Sequence, residues 1–457
     1  MKRKDFIKEI IELVREVVGI DEIESRMDLK NGKGLCPFHN DKRIGSFSVS
    51  KNKKIFKCFS CGTGGDIIKF VSLFENITYV ESAFKIALEK RLISEEKYKQ
   101  ILSKKLSESE NLKIEKTYIK QNLIEHQSKK ADNETLNKIY SLFIKGFDYL
   151  GKNRLNEEDI KHLKNKRGLT DKEIEDTGYF SFPNRYILKP FLTDLEKNNI
   201  KLSTLNNIPG FFYNKKNNRY DFTTIKRGGI AIPIRNEFKQ IIGIQIRKNV
   251  VNSHESRYIW FSSAFAQENE GYKFGTSAGV SVDVIYPEEL KVKTIFITEG
   301  HFKAKKIAKE YNSIAISIQG VCAWGNIIEV IKNIQKLYSE VELPYIYVAF
   351  DADMGYNLAV YKQALKLGEA LQKIENKKIF YVLWDSDFGK GIDDLIDNGK
   401  KDMVDKISFD EMNTYYNKYI EILISLFGPD EKKYPKEAKK ELYEQIILRQ
   451  LKKYKNI

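Results

Sequence analysis

The sequence predicts a multidomain α+β and α/β protein. Its expected parts are a small N-terminal metal-binding ribbon, a mixed α+β basic core, a Rossmann-like parallel-sheet domain and a helical C-terminal tail. Three observations predict it. Two Cys/His pairs lie close together near the N-terminus. Ile-rich segments joined by a short turn fill the middle. From Lys291 onward, apolar runs of strand length alternate with helical stretches, the mark of a parallel sheet with helices on its faces.

Composition narrows the function classes. A chain of 457 residues is long enough for about three domains at roughly 150 residues each. Hydrophobic residues make up 42%, which excludes a wholly disordered chain. The formal net charge of +15 argues for an acidic partner, most commonly nucleic acid. Biased composition, rich in Lys, Ile, Asn and Tyr, is the alternative source of that charge. Four cysteines exclude a disulfide scaffold and point to a reducing compartment. No apolar run reaches the roughly 18 residues of a membrane span. The first segment, MKRKDFIKEIIELVREVV, carries charges too often for a signal peptide. A soluble, cytoplasmic protein with no membrane partner is expected.

That first segment reads as an amphipathic helix with Phe6, Ile10, Leu13, Val14 and Val17 on one face. Next come Cys36-x-x-His39 and Cys58-x-x-Cys61, 18 residues apart. Zinc takes four such ligands in a tetrahedron, and two tight turns supply them. Strand, turn and strand between the pairs would make a zinc ribbon holding one structural zinc. Lys51, Lys53, Lys54 and Lys57 interleave with Phe47, Phe56 and Phe59. That mixture suits single-stranded nucleic acid, or equally a lysine turn over a small aromatic core. Gly64-Gly65-Asp66 reads as a turn with Asp66 capping the next helix.

The expected divisions are a zinc-ribbon DNA-binding domain at 1–93, a polar linker at 94–133, the basic N-terminal part of a core at 134–288, a parallel-sheet domain at 289–404 and the tail at 405–457. Thr170 and Glu173 have capping-box spacing. GGIAIPIRN and QIIGIQIRK, with Asn236, Glu237 and Phe238 between them, predict a hairpin. Gly146 to Asn153 almost fits a phosphate loop, but Asn153 replaces the Ser or Thr that Mg²⁺ needs and no strand precedes it. The last segment, ELYEQIILRQLKKYKNI, reads as a basic amphipathic helix, and Cys322 as a buried, inert thiol.

Acidic clusters fall at three expected strand ends. Glu299 follows TIFIT, Asp351 and Asp353 follow YIYVAF, and Asp393 and Asp394 follow KIFYVL after a loop. Chemistry in parallel sheets collects at carboxyl ends of strands. Such carboxylates can hold Mg²⁺ or Mn²⁺ for in-line phosphoryl transfer. Asp is also common at turns and helix caps, which explains one cluster more easily than three.

With these residues in view, the chain resembles bacterial-type DNA primases of the TOPRIM class. Cys36, His39, Cys58 and Cys61 with GTGGDIIKF resemble their zinc-binding domain. LKNKRGLTDKEIE, GIAIPIRNEFKQIIGIQIRK and RYIWFSS resemble their basic core. TEGHFKAKKIA, the Asp351–Asp353 pair and KGIDDLI resemble the three TOPRIM motifs. The last part is similar to a branch found in phages, plasmids and mobile elements. The resemblance implies a DNA-dependent RNA polymerase that makes short primers on single-stranded DNA from ribonucleoside triphosphates. It assigns acid/base or metal work to Glu299 and metal to Asp351, Asp353 and Asp393, with Asp394 adjacent. Lys53, Lys54, Lys57, Arg235, Arg247, Lys248, Arg257, Lys273 and Lys303 are the candidate nucleic-acid or nucleotide contacts, each with a solvated surface charge as its bland alternative. Tyr258 and Trp260 are candidates for base stacking or for the core. His301 is either a substrate contact or a helix-start residue without function. Two departures stand out: Lys303 and Gly391 occupy positions where these primases usually carry Asp. Asp394 or Asp385 would have to compensate, or metal binding weakens, or catalysis is lost. A TOPRIM nuclease and a catalytically decayed single-strand-binding replication protein are the other readings. Any replicative helicase is expected to be a separate protein, since only a short helical tail follows about Lys400.

Overall fold

The computed structural model describes residues 3–38, 41, 44–52, 54–58, 63–75, 77–95, 130–147, 154–183, 185–252, 255–267, 269–321, 324–429 and 434–448. The chain divides into two compact units, Met1–Lys129 and, apart from Val251–Glu255, Lys130–Ile457. Most of the expected linker, His39, Lys53, Phe59, Cys61, Cys322 and the end of the phosphate-loop look-alike lie outside the described residues.

The N-terminal unit is built on a four-stranded antiparallel ribbon, β1 (Lys33–Gly34), β2 (Phe47–Ser50), β3 (Ile55–Cys58) and β4 (Gly64–Gly65), in that order. The helices Arg3–Val17, Ile67–Glu75 and Tyr79–Glu89 belong to the same unit. The first helix buries Ile7, Ile10, Ile11 and Val14, and Val18 just after it is buried too, while Val17 is 56% exposed. The apolar stripe therefore follows i, i+3, i+4, i+7 from Ile7 and leaves Val17 outside it. Asp66 caps the second helix, accepting from the Lys69 backbone N–H at 2.9 Å, and also accepts from the Tyr79 hydroxyl at 2.7 Å.

The second unit begins with the helix Asn133–Lys145, capped by Asp132. A short strand β5 (Phe180–Phe182) pairs with β8 (Gly229–Arg235), which pairs with β9 (Ile241–Lys248), which pairs with β10 (Tyr258–Trp260), all antiparallel. Between them in sequence, β6 (Phe211–Asn214) and β7 (Arg219–Phe222) form a separate sheet with β11 (Tyr272–Lys273). The expected hairpin is β8–β9. Asn236 Oδ1 accepts from the backbone N–H groups of Phe238 and Gln240 at 3.0 and 2.9 Å, which closes the turn. Both strands read as apolar runs because both faces are covered. Ala231, Ile244 and Ile246 face an aromatic core around Phe143 and Phe261, while Ile230, Ile232, Ile234 and Ile242 meet Leu163 and Phe302.

The six-stranded sheet runs β12 (Asp283–Ile285), β14 (Ile314–Ile318), β13 (Thr294–Glu299), β15 (Tyr345–Val348), β16 (Lys378–Leu383), β17 (Asp405–Ser408). The central four are parallel and the two edges antiparallel. Its edge strands come from outside the span 289–404. Ile295, Ile297, Ile346, Val348, Tyr381 and Leu383 face one core. Phe296, Ala315 and Val382 face another, with Ala304, Ile307 and Leu395. This period of two is what a central strand requires, and each buried isoleucine contributes about 1.5–3 kcal/mol.

The C-terminal residues are part of this body rather than an appendage. The helix Phe409–Phe427 buries Met412, Tyr419 and Leu423 in the first core. Tyr443 is 1% exposed, with its ring filling the space over Gly355 where any Cβ would collide. No described helix is long and apolar enough to cross a membrane.

Candidate active site and zinc ribbon

β13 lies between β14 and β15, so the chain leaves β13 for one side of the sheet and later returns to the other. A crevice opens at such a switch point, outside the carboxyl ends of the strands. Glu299 is the last residue of β13. Gly300, at φ 88°, turns the chain into the helix His301–Tyr311, and a left-handed backbone there favours glycine. Asp351 follows β15 and precedes the 3-10 turn Ala352–Gly355, which contains Asp353. Asp393 and Asp394 lie in the first turn of the helix Ile392–Asp397. The Ala352 backbone N–H donates to the Lys390 carbonyl at 2.8 Å, fastening the second acidic loop to the third.

The acidic side chains divide by task. Asp394 Oδ2 accepts from the Gly391 backbone N–H at 3.1 Å, and Asp385 Oδ1 from that of Asp387 at 3.0 Å. Both hold turns. Asp353 accepts from Asn357 Nδ2 at 2.9 Å. Asp351 pairs with the Lys303 ammonium, and Asp393 Oδ2 lies 3.3 Å from Arg167 Nη1. Burial raises the Asp393 carboxyl above its ordinary range, against the pull of Lys303. Its Oδ1 is buried with no hydrogen-bond partner. Lys303 is therefore no solvated helix lysine. Burial would lower its ammonium, but Asp351, with Asp393 and Glu299 nearby, outweighs burial and raises it.

Burial, reinforced by Asp351, pushes Glu299 up to about 7. The sign follows directly. A carboxyl raised in the folded state binds its proton more tightly there than in the unfolded chain, so its contribution to stability is full at low pH. It is lost as pH rises through about 7. Glu299→Gln is expected to be more stable than the wild type at pH 8 without added divalent ions, with the gap closing near pH 4. Thermal melts of both proteins across that range check it; a constant gap would contradict it.

Among the described residues, no three His, Cys, Asp or Glu side chains gather as a metal cage. Mg²⁺ seldom uses one; it takes one or two carboxylates together with substrate phosphates and water. Glu299, Asp351, Asp353 and Asp393 are the carboxylates from which one or two could be drawn for such a cation.

A cationic group faces this region. Burial, then Arg247 and Arg167, push His162 down to about 4, and Arg257 acts in the same direction. Arg247 is 9% exposed. The Nε atoms of Arg167 and Arg247 and Nε2 of His162 are buried without a partner. Arg167 also stacks over the Phe302 ring at 4.6 Å. Of the other sequence candidates, Arg257 and Lys273 are exposed and Lys248 is half-buried. Arg235 is turned inward, donating to the Thr177 carbonyl at 3.0 Å. Tyr258 and Trp260 are half-buried against the core. His301 is buried between the Tyr179 hydroxyl and Asp283, each at 2.6 Å, where it joins the two sheets and does not reach the crevice. Sequence reading missed His162 and Arg167. The signal for Arg167 was its place at a helix end just before Gly168, at φ 64°.

In the ribbon, Cys36 and Cys58 are buried at 4% and 0% exposure. The Phe38 backbone N–H donates to Cys36 Sγ at 3.4 Å, and the Cys58 N–H to the Thr63 carbonyl at 2.7 Å. Buried sulfurs on tight turns, one accepting a backbone hydrogen bond, fit a zinc thiolate. Phe47 and Phe56 are fully buried and pack with Phe38 and Phe70. They form the ribbon's core and offer no face to a base. Lys54 and Lys57 are exposed.

The CHC2 zinc finger family matches residues 3–101, and a domain of unknown function, DUF3854, matches residues 288–403. The DNA primase of Rickettsia typhi is 25% identical over 421 residues, 89% of this chain and 61% of that protein. That of Aquifex aeolicus is 49% identical over 83 residues, 17% of this chain and 16% of the relative. The chain is related to the bacterial-type DNA primases. It spans less than two thirds of the length of these relatives. The crystal structure of the Aquifex aeolicus primase zinc-binding and RNA polymerase domains aligns over 96% of this primase-related chain and 97% of that one, at 19% identity and a TM-score of 0.40.

Proposed function

We propose that this chain is a DNA primase with a TOPRIM catalytic domain, synthesising short RNA primers de novo on single-stranded DNA. The observation that carries this is a set of carboxylates after β13, β15 and β16 with arginines beside it: Arg167 reaches Asp393, and Arg247 lies near Arg167. Carboxylates hold hard cations and arginines hold phosphates, so the pair suits a nucleoside triphosphate. Arg167, 23% exposed, and Arg247, 9% exposed, whose Nε atoms have no partner, would orient the triphosphate. Glu299 and Asp353, beside the Lys303-paired Asp351 and the Arg167-paired Asp393, would hold Mg²⁺ or Mn²⁺. When bound, that ion neutralises the transferring phosphoryl group and activates the primer 3′-hydroxyl. Lys54 and Lys57 of the zinc ribbon, with Lys248, Arg257 and Lys273, are the template contacts in this reading. The phage, plasmid or mobile-element setting rests on the resemblance of the last part.

The test is primer synthesis on single-stranded DNA with one labelled ribonucleotide among four and Mg²⁺ or Mn²⁺, alongside Asp351→Ala. Short products that vanish in the variant support the primase. Asp351-dependent cutting of labelled DNA without synthesis would make the protein a nuclease. Binding with neither activity would make it a decayed single-strand-binding protein.

A further inference from the structure

Lys303 and Gly391 are coupled in space. The Lys303 ammonium is paired with Asp351, their side chains only 20% and 18% exposed. Lys390 also reaches Asp351, at 4.0 Å, but from a side chain 82% exposed. Gly391 borders the buried lysine. A Cβ there would collide with Asp393 Oδ1 and fall 2.7 Å from Lys303 Cε and 3.2 Å from its Nζ. The Gly391 backbone, at φ −101° and ψ 164°, is extended, a conformation any residue adopts. A side chain here would therefore have to push the ends of Asp393 and Lys303 aside, while the backbone itself places no demand for glycine.

We propose that the Lys303 ammonium is a resident cation of the carboxylate cluster, standing where a divalent ion would otherwise bind Asp351, and that Gly391 is the opening that admits it. Lys303 answers the charge of Asp351 and Arg167 that of Asp393. Glu299 and Asp353 are left with no cationic side chain within ion-pair distance among the described residues. Two carboxylates suffice for one hard cation beside a phosphate. The inference deepens the nucleotidyl-transfer reading and rests on it for its chemical consequence, a site working with one exchangeable ion and one tethered ammonium.

Its test needs no catalysis. Full-length, zinc-loaded protein is titrated with Mn²⁺ alone, and free Mn²⁺ is read by electron paramagnetic resonance. Lys303→Met is expected to bind Mn²⁺ at least about tenfold more tightly than the wild type. The gain should disappear when Asp351→Asn is added. Lys303→Arg and Lys390→Met should stay within about twofold of wild type. Gly391→Ala, whose methyl group displaces the lysine, should also tighten Mn²⁺ binding, and it decides the matter if Lys303→Met does not fold. Unchanged Mn²⁺ affinity in Gly391→Ala and Lys303→Met would overturn the inference, as would a gain that survives Asp351→Asn. A wild type that makes no primers but shows the expected Mn²⁺ pattern would sink the polymerase reading and leave this one standing.

Discussion

Asp351→Asn is expected to lower primer synthesis by about a hundredfold to a thousandfold, the usual cost of removing one preorganised electrostatic group from an active site. The substitution keeps shape and removes charge. In the wild type Asp351 follows β15, 18% exposed, in contact with Lys303. Its loss leaves Lys303 with two further carboxylates, since Asp393 and Glu299 already act on that ammonium. The cation is not orphaned, so the stability cost should fall below the roughly 3–5 kcal/mol of an uncompensated buried charge. Single-strand binding should stay within about twofold, because the basic side chains proposed as template contacts are not held by Asp351. The measurements are labelled primer yield, a thermal melt and fluorescence anisotropy with a labelled oligonucleotide. Wild-type primer yield in the variant would remove Asp351 from the catalytic machinery. Lost yield together with collapsed binding or melting would show a folding defect instead.

Much of this site was legible before the structure because its logic is local. A strand of TIFIT type ends where its apolar run ends, so a carboxylate in the next position must sit at the sheet's carboxyl edge. Glu299 was readable in that way and Asp351 nearly so, while nine residues separate Asp393, at the start of a helix, from the end of β16. The β8–β9 hairpin was readable for the same reason, through Asn236 in the turn. What was not legible depends on contacts between segments distant in sequence. Lys303 lies on a helix whose sequence, HFKAKKIAKEY, has four lysines, and nothing in that spacing says which one turns inward. Its direction is set by Asp351 and by the space left at Gly391, 48 and 88 residues away. Arg167 and Arg247 meet only once the first helices of the core fold beside β9. His301, beside Glu299 in sequence, was left open as a substrate contact or a helix-start residue without function. In a helix, neighbours in sequence point about 100° apart, and His301 turns to Tyr179 and Asp283. The basic amphipathic pattern of the tail did not say what its apolar face meets; Tyr443 fills the core of the six-stranded sheet.

Zinc removal should act on the N-terminal unit and spare the parallel sheet. The ribbon's strands are two to four residues long, too short to hold one another without help. Cys36 lies just after β1 and Cys58 ends β3, so one ion would close the ribbon at both turns. Zinc contributes about 10–16 kcal/mol of apparent binding energy in finger peptides. Here the ribbon also shares a core with its helices, through Phe47, Phe56 and Phe70 beside Ile11 and Phe84. The helices should therefore survive partly while the strands open. Cys58→Ser, or a strong zinc chelator, is expected to abolish hydrogen-exchange protection in β2 and β3 of the full-length chain. Protection in β8, β9 and β13 should change by less than about twofold, since separate cores respond independently. Zinc content by mass spectrometry should fall from one per chain to none. Full protection of β2 and β3 in zinc-free protein would show that the aromatic core alone holds the ribbon. Loss of protection in β13 as well would show that zinc supports the whole chain.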